Sequence, residues 1–113
     1  MNEAELKKAV TEYLDYRMNL GELYWDRLPS GEWIEVRGNT RRRVRGCREG
    51  TADILVLKKV WFLSRTIFLE LKGEKGRQSK EQKAFQILVE SQSADYFLIY
   101  PEGWLEKLEG ILR

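Results

Sequence analysis

The chain has 113 residues, 42% of them hydrophobic and 34% charged, with a net charge of +2. That length accommodates one domain, residues 1–113, and the composition is that of a globular protein rather than a disordered one. Histidine is absent and Cys47 is the single cysteine, which excludes His-based triads, His metal sites, thiolate zinc clusters and internal disulfides, and suits a reducing compartment.

In chain order, Leu6, Ala9, Val10, Tyr13, Leu14 and Arg17 recur at three- and four-residue spacing, which predicts an amphipathic helix over residues 3 to 19, stopping before Gly21. Tyr24 to Leu28 and Trp33 to Arg37 read as strands, with Pro29-Ser30-Gly31 as the hairpin turn between them. Gly38 to Gly50 reads as a Gly-studded loop. Ala52 to Leu57 is a short apolar strand, and Val60 to Lys72 is one long strand or two paired ones. Gly73 to Gln78 is a loop, Ser79 opens a second helix with Ala84, Phe85, Leu88 and Val89 on one face, Tyr96 to Tyr100 is a buried strand, and Pro101 starts a last helix. The order is α-β-β-β-β-α-β-α, an α/β (α+β) fold with a small mixed sheet flanked by helices. Trp25, Trp33, Trp61, Phe62, Phe68, Phe97 and Trp104 sit at core periodicities and are expected to pack. No stretch reaches the roughly 18 apolar residues of a membrane span. The acidic Met1-Asn2-Glu3-Ala4-Glu5 lacks a signal peptide's basic flank, so a cytoplasmic location is expected.

Without histidine or a thiol cluster, chemistry falls to carboxylates, lysines and amides around a hard cation. In Glu70-Leu71-Lys72, strand alternation puts Glu70 and Lys72 on one face at the mouth of an apolar strand. If the strands of Asp53 and Glu70 are neighbours, the two carboxylates converge, as suits Mg²⁺ or Mn²⁺ and the hydrolysis of a phosphate ester. The plainer alternatives stay open: a strand end reaching water for Glu70 and Lys72, and a turn cap for Asp53. Charge is the second signal. Residues 37 to 48 carry six arginines and no acid, while the rest of the chain holds 14 basic against 18 acidic residues. Arg41, Arg42, Arg43, Arg45 and Arg48, directly before Asp53, with Lys75 and Arg77 after Lys72, form basic edges able to grip phosphates, because so many like charges repel unless something anionic neutralises them.

Gly50-Thr51-Ala52-Asp53, then Glu70-Leu71-Lys72, then Gly76-Arg77-Gln78-Ser79-Lys80-Glu81-Gln82 together resemble the PD-(D/E)XK nuclease superfamily, and within it the virus-type replication-repair nuclease (VRR-NUC) domain, from about Glu3 to Tyr100. The resemblance implies that Glu3, Asp53, Glu70 and the Leu71 carbonyl hold Mg²⁺ or Mn²⁺, that Lys72 is the catalytic lysine, and that Gln82 on the second helix points into the site. Glu5 rivals Glu3 as the helix-one acid, and Gln82 also fits a capping box opened by Ser79. Ala52 departs from the proline frequent in the family. The implied function is a metal-dependent DNA endonuclease, structure-selective on Holliday junctions or flaps and homodimeric, acting in the cytoplasm, of a host cell if the source is viral. The alternative is a non-catalytic nucleic-acid-binding module that uses the same arginines.

Overall fold

The computed structural model describes residues 1–113. Asn2 caps the first helix, α1 (Glu3–Asn19), with its side chain accepting from the Glu5 N–H while Glu5 Oε1 accepts from the Asn2 N–H. The strands are β1 (Tyr24–Arg27), β2 (Glu32–Arg37), β3 (Thr40–Arg45), β4 (Ile54–Val60), β5 (Leu63–Leu71) and β6 (Asp95–Ile99), and the later helices are α2 (Lys80–Ser91) and α3 (Trp104–Ile111). The fold is mixed α+β. A four-stranded sheet runs β1-β4-β5-β6, antiparallel except for the parallel β5–β6 pair, and β2–β3 forms a separate two-stranded sheet.

Alternation sorts the sheet residues onto two faces. Ile54, Val56, Ile67, Leu69, Leu71 and Ile99 join Leu6, Val10 and Leu14 of α1 and Leu108 and Ile111 of α3 in one buried cluster. Each such aliphatic side chain contributes about 1.5–3 kcal/mol on burial. The opposite face belongs to α2, where Phe85 meets Phe68 edge-on at 5.1 Å and Tyr96 at 6.1 Å. Arg65 ties β5 to β6 and α3 by donating to Asp95 Oδ2 at 2.5 Å and to the Ile111 carbonyl at 2.6 Å.

Four sequence expectations are corrected. Residues 24–28 and 33–37 do not form a hairpin: β1 pairs with β4, and β2 with β3. Leu23 is buried and Trp25 packs on the core while donating to Asp15 Oδ1, so β1 has one apolar face to lay beneath α1. β2 has no such face, since Trp33, Ile34 and Val36 are all exposed. Second, the expected loop from Gly38 to Gly50 contains β3. Gly38, at φ +57, supplies the left-handed first position of a two-residue turn. The element order therefore has five strands before α2, not four. Third, Trp61 and Phe62 are not core residues. They form the tip of the β4–β5 hairpin, 86% and 97% exposed, with Trp61 at φ +58. Trp33 and Leu88 are likewise exposed. Fourth, the last helix begins at Trp104, with Pro101 in the preceding turn.

Candidate functional site

The Ile54–Leu69 pairing, continued by one residue, sets Asp53 across from Glu70 at the end of the sheet where β5 runs out. Two residues seventeen apart in sequence are thus juxtaposed by one antiparallel register. Gly50 makes the approach possible. It takes φ +90, and a Cβ there would stand 2.5 Å from the Glu81 carbonyl oxygen, so only glycine lets the segment entering β4 lie against the first turn of α2.

Asp53 Oδ2 accepts the Leu71 N–H at 2.8 Å, which fixes the carboxylate on the backbone beside Glu70. Its Oδ1 lies 3.8 Å from Lys7 Nζ, and the same ammonium is 3.6 Å from Glu3 Oε2. Glu70 is 3% exposed. Its Oε1 accepts from Gln82 Nε2 at 2.8 Å and lies 3.8 Å from Lys72 Nζ, while its Oε2 is buried with no partner. Burial, reinforced by the like charge of Asp53 and opposed by Lys72, pushes the Glu70 carboxyl up to about 7. Burial likewise raises the Tyr96 phenol to about 12, with Glu70 and Asp53 adding to the effect.

Gln82 serves in both expected capacities at once. Its Oε1 accepts from the Ser79 N–H and from Lys72 Nζ, both at 2.8 Å, and Ser79 Oγ accepts the Gln82 N–H, completing a capping box. One amide thereby ends the helix, holds the lysine and holds the glutamate.

The helix-one acids separate cleanly. Glu5 is engaged in the Asn2 cap, whereas Glu3 shares Lys7 with Asp53. Glu3 nevertheless remains half-exposed, and no group of three acidic side chains in the protein closes into a cluster able to hold a metal by itself. Asp53 and the unpartnered Oε2 of Glu70 offer hard oxygen donors of the kind Mg²⁺ or Mn²⁺ takes. A Mg²⁺ site needs only one or two carboxylates, the rest of the shell being water. A groove of about 890 Å³ between α1 and residues 27–30 opens onto Asp53 and Leu71.

The basic residues do not form the expected loop. Arg41, Arg42, Arg43 and Arg45 lie on β3. Glu32 pairs with Arg43 and Arg45 at 2.6 and 3.0 Å, and Glu35 pairs with Arg37 and Arg42 at 2.6 and 2.9 Å. Arg41, Arg48, Lys75 and Arg77 are exposed and pair with no carboxylate. Cys47 is a free, half-buried thiol. Sequence reasoning missed Lys7, although its place four residues after Glu3 was the signal. It also missed Glu32 and Glu35, whose role needed a strand where a loop was expected. No helix is long and apolar enough to cross a membrane. Compared with known proteins, the chain matches no family model, no curated protein and no solved structure.

Proposed function

We propose that the protein is a Mg²⁺- or Mn²⁺-dependent endonuclease of the PD-(D/E)XK kind, close to the VRR-NUC branch, that hydrolyses phosphodiester bonds in DNA. The observation that carries this reading is the buried, unpartnered Oε2 of Glu70 set across from Asp53 and next to a lysine held by Gln82. An orphaned buried carboxylate oxygen is costly unless a ligand satisfies it. Asp53, Glu70 and the Leu71 carbonyl would hold the ion, with Glu3 reaching it through water. The ion would supply Lewis-acid polarisation of a phosphoryl oxygen and a more acidic water.

The chain's own groups have separable tasks. Gln82 takes a hydrogen bond from Lys72 and gives one to Glu70, so the ammonium and the carboxylate keep a fixed relation. Lys72, 13% exposed and in a medium poorer in water than bulk, is placed to orient an attacking water or to stabilise charge on a phosphoryl oxygen. Arg48, Lys75 and Arg77 flank this end of the sheet and would hold the backbone on either side of the cut. Branched DNA cut by a twofold homodimer is the form of activity the resemblance favours.

Cleavage of branched and linear DNA by wild type, Asp53→Ala and Glu70→Ala with Mg²⁺ or Mn²⁺ tests the proposal; a Glu70→Ala protein that cuts at the wild-type rate defeats it. Sedimentation with and without a four-way junction tests the dimer, and a protein that stays monomeric in both is not a junction resolvase. The second reading, a clamp that binds nucleic acid without metal, draws on Lys7, which already neutralises Glu3 and Asp53. Titration calorimetry separates the two, since only the nuclease binds Mn²⁺ in a manner abolished by Asp53→Ala with Glu70→Ala.

A further inference from the structure

β2 and β3 form a two-stranded ribbon outside the main sheet, prolonged at its base by backbone hydrogen bonds among Pro29, Gly31, Gly46 and Cys47. Such a ribbon is marginal alone in water. This one also exposes Ile34 at 65% and Val36 at 60%, side chains that a free surface gains nothing by displaying. A second copy of the ribbon is disfavoured by charge, because residues 32 to 45 hold five arginines against two glutamates, a net of +3. That charge suits an anionic partner.

The register shows which face meets it. Residues directly opposite share a face, and alternate residues along a strand do too. Ile34 pairs with Arg43, Val36 with Arg41 and Glu32 with Arg45, so Glu32, Ile34, Val36, Arg41, Arg43 and Arg45 make one face. Trp33, Glu35, Arg37, Thr40, Arg42 and Val44 make the other. The ion pairs respect this division, Glu32 holding Arg43 and Arg45 and Glu35 holding Arg37 and Arg42. The first face is a row of three arginines alongside two aliphatic side chains, with Arg41 unpaired. It carries a net of +2, against +1 on the second.

We propose that the β2–β3 ribbon inserts into the major groove of duplex DNA with the Arg41/Arg43/Arg45 face toward the base edges. The B-form major groove, about 12 Å wide, admits a two-stranded ribbon, and its edges offer the guanine O6/N7 acceptors that arginine takes and the thymine methyl that Ile34 or Val36 can touch. The ribbon's six-residue strands are about 20 Å long, enough to follow the groove across several base pairs. The deep, narrow major groove of A-form RNA excludes side chains, so the same geometry selects duplex DNA over duplex RNA. This rests on the reading of the protein as acting on nucleic acid, but not on the metal site.

The test is metal-free fluorescence anisotropy in EDTA, on one sequence as duplex DNA and as duplex RNA, so that a failure of catalysis leaves it intact. Wild type is expected to bind the DNA at least ten-fold more tightly. The triple variant Arg41→Ala/Arg43→Ala/Arg45→Ala is expected to lose at least ten-fold in affinity and to relax the preference among duplex DNA sequences. Arg37→Ala, on the other face, should stay within a few-fold of wild type. Footprinting supplies a readout that does not depend on variants: guanine N7 protection is expected inside the bound site. Equal binding of DNA and RNA, equal loss from the two faces, backbone protection without N7 protection, or no DNA binding by wild type would each overturn the proposal. So would dimerisation abolished by the triple variant, which would make the ribbon a protein interface.

Discussion

Two antiparallel hairpins are put to opposite use. β4–β5 lies in the middle of the sheet, with core side chains on one face and α2 on the other, and it brings carboxylates to its open end. β2–β3 lies outside the sheet and brings arginines to water. In the first, a buried Glu70 is held by an amide, a nearby lysine and nothing else. In the second, every acid is matched with two arginines in exposed pairs, each worth little to stability. Electrostatic cost is concentrated where chemistry is proposed and dispersed where binding is proposed.

The largest effect that sharpens this contrast is on turnover. Lys72→Ala is expected to lower metal-dependent cleavage about 10²–10³-fold while changing DNA affinity little. Arg41→Ala/Arg43→Ala/Arg45→Ala is expected to do the reverse, raising KM with a smaller effect on kcat. If each variant moves both constants equally, the two hairpins are not functionally separate.

The next effect is on stability and has the opposite sign from most substitutions. Glu70 has an ordinary value of 4.5 and is held at about 7 by the fold. The folded state therefore binds more protons than the unfolded one between those values, so stability is full below about pH 4.5 and falls as pH rises through about 7. The upper limit of that loss is about 3 kcal/mol, at about 1.4 kcal/mol per unit. Metal-free Glu70→Gln should consequently be more stable than wild type at about pH 8 by on the order of 1–3 kcal/mol, converging toward it near pH 5. Added Mn²⁺ should narrow the gap by stabilising the wild type alone. Urea melts across that range would show this, and a wild type as stable at pH 8 as at pH 5 would mean that Glu70 carries no such burden.

How far the two hairpins could be read from sequence follows from what specified each. β4 and β5 announce themselves through their apolar content, and the meeting of Asp53 with Glu70 could be read only on the condition that their strands are neighbours, which the 54–69 register supplies. Their shared tip was not legible. Val60-Trp61-Phe62-Leu63 reads as more strand, and only the left-handed Trp61 breaks it, at a residue type that gives no warning of a turn. β3 was illegible for a different reason. Its apolar content is a single half-buried valine, Val44, so periodicity had nothing to grip, and it exists through cross-strand pairing with Glu32 and Glu35. Lys7 was hidden because its partner Asp53 comes from a distant segment. The family resemblance implied roles for Glu3, Asp53, Glu70, Lys72 and Gln82, and the Ser79–Gln82 spacing added the capping box, so both engagements of Gln82 were legible while their sharing of one amide oxygen was not.

That dual engagement allows a smaller and finer test. Ser79→Ala removes the side-chain acceptor of the α2 cap and leaves the Gln82–Lys72 and Gln82–Glu70 hydrogen bonds in place. It should cost about 1 kcal/mol in stability and little in cleavage rate. Gln82→Ala should cost a similar amount in stability, because it deletes the other half of the capping box, and should slow cleavage roughly ten-fold by releasing both site side chains. Matching losses in melting temperature with unequal losses in kcat would assign Gln82 a positioning role beyond its cap.

The smallest effect concerns the tip. Trp61 holds a left-handed backbone that costs a non-glycine residue on the order of 1 kcal/mol, and at 86% exposure its ring contributes little packing in return. Trp61→Gly relieves that strain but gives the unfolded chain more freedom, a counter-effect of roughly 0.5–1 kcal/mol. The two nearly cancel, so the variant should melt within a few degrees of wild type. Trp61→Asn keeps most of the backbone restriction while tolerating the left-handed region, and it should be the more stable of the two. A marked drop for both variants would show that the exposed ring packs in solution against something, and the closed, sheet-bound hairpin would then be as much a contact element as the open ribbon.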